Sequence, residues 1–192
     1  KKQRGYRLSC LCHKGGNVDL SKKNIYKGRI VDLNIEQVKL PNGKHIELEV
    51  IHHPGASAIV PLRDNGQVVL IKQFRYAAGG FIYEIPAGRL NKGEDPAACA
   101  ARELEEEIGY KAGRLEKLIT ILTTPGFCDE RIHVFMARDL IQTEQRLDSD
   151  EVLEIVEMSL DEAIRGIRDG IINDAKTIAG LSAVYFRIRG QS

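Results

Sequence analysis

The chain has 192 residues, 43% hydrophobic and 29% charged, ordinary values for a globular protein and enough length to bury a real core. Lys and Arg number 28 against 27 Asp and Glu, a formal net charge of +1, which argues against nucleic-acid or membrane binding driven by charge. No apolar run approaches the roughly 20 residues of a membrane span, and the basic start KKQRGYRLSCLCHKGG lacks a signal peptide's long apolar centre.

Residues 1–22 show no sustained period and are expected to form a flexible N-terminal arm. Cys10, Cys12 and His13 make a C-x-C-H cluster with no second cluster to complete a tetrahedral zinc site. The 4 cysteines are too few and too irregular for a disulfide framework, so free thiols in a reducing cytoplasm are expected. From 23 to 55 the pattern turns to β. Ile30, Leu33 and Ile35 are followed by Val38, Leu40, the turn Pro41-Asn42-Gly43-Lys44, and then alternating Ile46, Leu48 and Val50. Asn-Gly between alternating apolar residues is a strong hairpin signal. The result is a small antiparallel sheet, too small to stand alone, which must pack on the rest of the chain or on a second subunit.

Pro54-Gly55 opens a second unit, 56–192. Residues 58–62 and 68–74 flank Arg63-Asp64-Asn65-Gly66 and read as another hairpin, and 82–85 reads as a strand. Gly88 to Tyr110, GRLNKGEDPAACAARELEEEIGY, then carries clear helix signals. Asp95 is placed to cap, Pro96 suits the first helical position, and Gly109 suits a left-handed stop. Ala97, Ala101, Leu104 and Ile108 form an apolar stripe. Strands follow at 118–123 and 132–137, separated by the turn Thr124-Pro125-Gly126-Phe127. Residues 140–151 are polar, acidic and long for a plain connection, which favours a functional or mobile loop. A strand at 153–158, a helix capped by Ser159 and stopped by Gly170, and a last helix starting at Asn173 or Asp174 complete the chain. Mixed strands and helices predict an α/β sandwich.

Glu103, Glu106 and Glu107 fall within an arc of roughly 100° on the helix. Like charges at i,i+4, as in Glu103 and Glu107, destabilise a helix, and Arg102 is placed to relieve the cluster through Glu106. A solvated acidic face is one reading. The other is a hard-cation site, since carboxylate oxygens suit Mg²⁺ or Mn²⁺. The spacing favours the second: Gly88, five residues, Glu94, seven residues, Arg102-Glu103-Leu104, one residue, Glu106-Glu107, one residue and Gly109 resembles the Nudix box, GX5EX7REUXEEXGU. Every fixed position matches. The one departure is Tyr110 in place of an aliphatic residue, which bears on packing.

The resemblance implies a Nudix-type α/β/α sandwich with a mixed sheet, spanning 56–192, and an enzyme that cuts a nucleoside diphosphate from a linked group. It implies Mg²⁺ or Mn²⁺ held by Glu103, Glu106 and Glu107 with the carbonyl of Ala87, and Arg102 orienting Glu106. Glu94 reads as structural. Lys72-Gln73-Phe74-Arg75-Tyr76, Tyr83-Glu84-Ile85-Pro86-Ala87-Gly88 and Pro125 are similar to the ADP-ribose pyrophosphatase branch. That branch carries a three-stranded N-terminal sheet exchanged between two subunits, so 23–55 is expected to make a homodimer.

Within the branch, Arg75 and Glu84 would contact a nucleoside diphosphate sugar, although a plain salt bridge between strand ends would explain them too. Glu151, or else Asp150, would be the general base. Glu130 reads either as a contact to the terminal ribose or as a strand cap. Tyr26 and Phe127 read either as adenine-stacking rings or as core. Leu48 stands where many members have Arg, which leaves the substrate open. ADP-ribose, giving AMP and ribose 5-phosphate, is the expected substrate. GDP-mannose, another nucleoside diphosphate sugar or NADH is the alternative, and a non-catalytic nucleotide-binding domain is disfavoured because the box carboxylates are all present.

Overall fold

The computed structural model describes residues 21–147 and 151–190. Two compact units divide between Val50 and Ile51, earlier than the sequence boundary at 55. In the first, β1 (Ser21–Lys27), β2 (Asp32–Lys39) and the start of β3 (His45–His52) form a three-stranded sheet in the order β1-β2-β3. The sheet thus begins inside the stretch read as arm; the basic, polar Ser21-Lys22-Lys23 start gives no hydrophobic signal for it. The Asn42-Gly43 turn is closed by the Leu40 N–H donating to the Lys44 carbonyl and the Gly43 N–H donating to the Leu40 carbonyl, and Gly43 takes φ +84°, which favours glycine. Among the described residues of this unit only Asn34 is buried, held by Asn24 and Asp32. The apolar side chains among these described residues do not form a core.

The second unit is built on β4 (Ala56–Pro61), where Ala58, Ile59 and Val60 are all fully buried. A strand buried on both faces needs cover on both, and it has it. Ala58 and Val60 face one apolar cluster, with Leu181 and Val184 of α3 (Ala175–Arg189) and Ala163 of α2 (Leu160–Arg168). Ile59 faces the other, with Ala100, Leu104 and Ile108 of α1 (Pro96–Ile108). This is the α/β/α sandwich. Its mixed sheet runs β7 (Ala87–Arg89), β4, β9 (Arg131–Gln142), β8 (Tyr110–Leu122), with β4 and β9 parallel and the other pairs antiparallel. The second sheet runs β10 (Leu153–Ser159), β5 (Gln67–Arg75), β6 (Gly80–Glu84).

Three sequence expectations need correction. The turn at Arg63–Gly66 forms, yet β4 and β5 are not a hairpin: their pairing is limited to the Leu62–Val68 bridge, and the strands then part into different sheets that pack on one another. A turn fixes where the chain reverses, and burial on both faces of both strands separates them. Strand β8 begins at Tyr110, well before residue 118. It is an edge strand with little burial, so its apolar signal is weak. In α1 the buried alanine is Ala100, whereas Ala101 is exposed, because the helix also turns Cys99, Glu103 and Glu107 inward.

Tyr110, the departure from the box, is half-buried against the α1 cluster, and its hydroxyl accepts a hydrogen bond from Arg63. Cys99 is buried and Cys128 partly so, and both are free thiols. The C-x-C-H cluster and the rest of the arm to residue 20 lie outside the described residues. Among the described residues no helix is long and apolar enough to cross a membrane.

Candidate active site

Helix α1 starts where expected: Asp95 accepts from the N–H groups of Ala97 and Ala98, Pro96 fills the first position, and Gly109 ends it at φ +68°. The rotation that buries Ala100, Leu104 and Ile108 also buries Glu103 and Glu107, 8% and 2% exposed. That excludes the solvated-face reading. Arg102 gathers the cluster, donating to Glu103 Oε1 at 2.6 Å, Glu106 Oε2 at 2.9 Å and Glu94 Oε1 at 3.0 Å. Glu94 also accepts from the Asn91 N–H, so it ties the loop to the helix. Glu107 Oε2 accepts from the Ala87 N–H at 2.9 Å.

Burial raises the pKa of Glu103 despite Arg102, with Glu106 and Glu151 adding repulsion. Burial, then the charge of Glu103, pushes Glu107 well above the usual carboxylate range, and Glu151 adds to it. The Cys99 thiol beside them is pushed up to about 11 by burial and by Glu103. Gly88 admits the Glu103 carboxylate so closely that a Cβ there would lie 1.9 Å from Oε1.

Two adjoining hollows open on these groups. A cavity of about 230 Å³ is walled by Arg102, Glu103, Glu106, Arg146 and Glu151. A second, of about 480 Å³, is walled by Arg75, Glu107, Glu130, Glu151 and Lys176. Ala87, Gly88, Arg89 and Glu151 border both, so they form one cleft. Arg75 is held in it by a bidentate pair with Glu84, at 3.1 and 2.7 Å. Burial opposes the Arg75 charge, but Glu84 outweighs it and the pKa is raised.

Glu84 is 3% exposed and also holds Lys176 Nζ at 3.2 Å, so it aims two cations. Lys176 Nζ reaches Asp174, the α3 cap, at 3.1 Å as well. Glu130 Oε1 pairs with His53 Nδ1 at 3.2 Å on the same wall. Phe127 is 53% exposed in the loop before β9, outside both cavities. Tyr26 is 60% exposed in the first unit, its ring over Gly28. Neither ring is core. Asp150 lies outside the described residues.

Residues 140–146, the first part of the acidic stretch, are more tethered than their composition implies. Strand β9 runs on to Gln142. The N–H groups of Thr143 and Arg146 donate to Gly109 and Glu106, and Gln145 Nε2 donates to the Glu107 carbonyl at 2.6 Å. These satisfy carbonyls that the end of α1 would otherwise leave unpaired. Lys176, His53 and Arg146 were not singled out in the sequence. Each is distant from the box in the chain, and only the sheet order brings them to it.

The donor set, carboxylate and carbonyl oxygens around buried negative charge, is of the kind that hard divalent cations take. Among the described residues no three His, Cys, Asp or Glu side chains are gathered as a ligand cage, and Arg102 holds Glu103 and Glu106.

The sequence pattern of the NUDIX domain matches residues 51–181. The chain belongs to the Nudix family. This Nudix chain is 44% identical over 160 residues to an ADP-ribose pyrophosphatase of Bacillus subtilis, covering 82% of this chain and 86% of that one. It is 42% identical over 161 residues to a methanol dehydrogenase activator of Bacillus methanolicus, covering 83% and 87%. A crystal structure of an ADP compounds hydrolase shares the fold, with a TM-score of 0.79 at 23% identity over 92% of this chain and 96% of that one.

Proposed function

We propose that this Nudix protein hydrolyses the diphosphate of ADP-ribose, with water, to AMP and ribose 5-phosphate. The observation that carries the reading is the larger part of the cleft, about 480 Å³, in which the cations Arg75 and Lys176 share a wall with Glu107 and Glu151. The volume suits a nucleotide-sized ligand, and the charge arrangement suits a diphosphate beside a proton acceptor. The kinship to an ADP-ribose pyrophosphatase selects the sugar.

Arg75 presents a planar fork to the diphosphate oxygens, and Glu84 pre-orients it, so little side-chain freedom is lost on binding. Lys176 adds a point charge on the same side. Glu151, on the wall of the cleft, accepts the proton of the attacking water. Glu130, set by His53, is the contact to the terminal ribose. Bound Mg²⁺ or Mn²⁺, held by Glu103, Glu106 and Glu107 with the Ala87 carbonyl, would neutralise the diphosphate and lower the pKa of the water. Arg102 keeps Glu106 aligned for that task. The protein is a cytoplasmic homodimer in this reading, with the β1-β2-β3 sheet at the interface.

A panel of ADP-ribose, GDP-mannose and NADH, with products identified, tests it. ADP-ribose should have the highest kcat/KM and give AMP with ribose 5-phosphate, and EDTA should abolish turnover. A higher kcat/KM on GDP-mannose, or full activity in EDTA, overturns the assignment of substrate or of metal respectively.

A further inference from the structure

A second hollow of this unit lies away from the cleft. It has a volume of about 540 Å³ and is bordered by Leu62, Arg63, Arg138, Ser159, Tyr185 and Arg189. The cleft touches Ala56 and Lys176, at the start of β4 and of α3. This hollow touches the residues that follow β4 and the last turns of α3. Six residues of strand and thirteen of helix each span about 20 Å, so the two sites sit at opposite ends of the sheet.

Its arginines are not equally occupied. Arg63 donates to Glu157 at 2.5 Å and lies over the Tyr110 ring at 5.1 Å. Arg189 donates to Asp161 at 2.9 Å and lies over Tyr185 at 5.0 Å. The Arg138 side chain has no hydrogen-bond or ion-pair partner among the described residues, and its buried Nε, like that of Arg63, meets no acceptor. Across the ladder it faces another cation, Arg114. The carboxylate nearby on β8, Glu116, is taken by Arg114 at 3.3 Å and by Arg187 at 2.8 Å.

Like charges opposite one another in a sheet destabilise it, and a buried donor without an acceptor costs more than a hydrogen bond contributes. Of the other wall groups, Asp64 and Asp161 are the carboxylates, and Asp161 is occupied. The first turn of α2 is capped from within, by Ser159 and Glu162. It is Arg138 that asks for an anion.

We infer that this hollow is a second anion site, taking phosphate or a phosphate monoester on Arg138 and Arg63. A guanidinium recognises phosphate oxygens through its planar fork. Tyr185 and the free volume beyond one phosphate leave room for the body of an ester. The inference stands whether or not the cleft hydrolyses ADP-ribose, since no group is shared between the two.

The test is a titration of the full chain, ¹⁵N-labelled and in EDTA, with inorganic phosphate and then AMP at constant ionic strength, chloride serving as the control. Saturable amide shifts at residues 62–66 and 138 are expected with both ligands and absent with chloride. Arg138→Gln should raise the Kd read at those amides about tenfold or more, as lost charge-assisted hydrogen bonds imply. It should leave hydrolysis in phosphate-free buffer unchanged. Saturable shifts confined to α1 and Arg75, or equal shifts with chloride, overturn the proposal. If Arg138→Gln alters the native spectrum, the wild-type titration decides by itself, and Arg138→Lys, which keeps the charge without the fork, should bind more weakly than wild type.

Discussion

Glu107 carries a sharp conflict: it is 2% exposed, beside the charge of Glu103, and among the described residues its carboxylate accepts one hydrogen bond, from the Ala87 N–H. A carboxyl whose folded pKa is raised weakens the fold as pH climbs. Above the unfolded value, about 4.3, the unfolded chain releases its proton more readily, and stability falls until the folded pKa is passed. Glu107→Gln removes that loss and keeps an oxygen for Ala87. In EDTA at pH 7 the variant should melt about 2–4 °C higher, the equivalent of about 1 kcal/mol in a domain of this size, and this gain should vanish near pH 4. Turnover should nonetheless fall by most of its value. Calorimetry across pH with parallel assays checks both; an unchanged Tm would mean that the Glu107 charge is already offset.

Glu151 is expected to act differently. Glu151→Gln should lower kcat by about 10²–10⁴-fold, the usual contribution of a general base, with KM nearly constant. Glu103→Gln should also move the Mg²⁺ dependence. Asp150→Asn run beside them decides between the two acids, and a fall below tenfold for both would place the base among Glu103, Glu106 and Glu107.

At the scale of elements, α1 is the part to which the site is fastened. The short strand β7 must approach it, and Gly88 permits that approach because a Cβ there would strike the Glu103 carboxylate at 1.9 Å. The obstacle is the end of a flexible side chain, so Gly88→Ala should fold, with stability changed by about 1 kcal/mol or less, while displacing Glu103 and cutting kcat/KM by at least tenfold. A variant with wild-type kinetics would show that the position of Glu103 is not critical.

The other fastening is Gln145, whose side chain holds the Glu107 carbonyl at 2.6 Å. Gln145→Ala leaves that carbonyl short of a partner, at a cost of about 1 kcal/mol. It should also speed amide exchange at residues 143–146 and lower kcat with little change in KM. Exchange rates equal to wild type would show that the tether does not depend on this bond.

For the molecule as a whole, the first unit poses the question. Its β strands leave Ile25 at 46%, Tyr26 at 60% and Leu48 at 37% exposure, with Asn34 its one buried described residue. A three-stranded sheet whose described residues form no apolar core needs a covering surface. A homodimer is the expected state, and sedimentation at micromolar concentration should give twice the chain mass of 21.4 kDa. Removal of residues 1–50 should then yield monomers of low activity. A fully active wild-type monomer would count against the dimer.

Local chemistry was legible in the residues themselves. Asp95, Pro96 and Gly109 bound α1, Ser159 and Asp174 cap α2 and α3, and Asn42-Gly43 turns the first hairpin, because each rests on a backbone conformation or an orphan N–H that neighbours satisfy. The spacing of Gly88, Glu94, Arg102, Glu103, Glu106 and Glu107 was likewise a property of the sequence, since a helix turns spacing directly into a face. Tertiary structure decided what no period encodes. It parted β4 from β5 into two sheets, extended the edge strand β8 back to Tyr110, and chose Ala100 over Ala101 for burial. It also carried Lys176 and His53 to the wall that holds Arg75. Those outcomes depend on which surfaces meet across long separations in the chain, and only the packing of whole layers sets that.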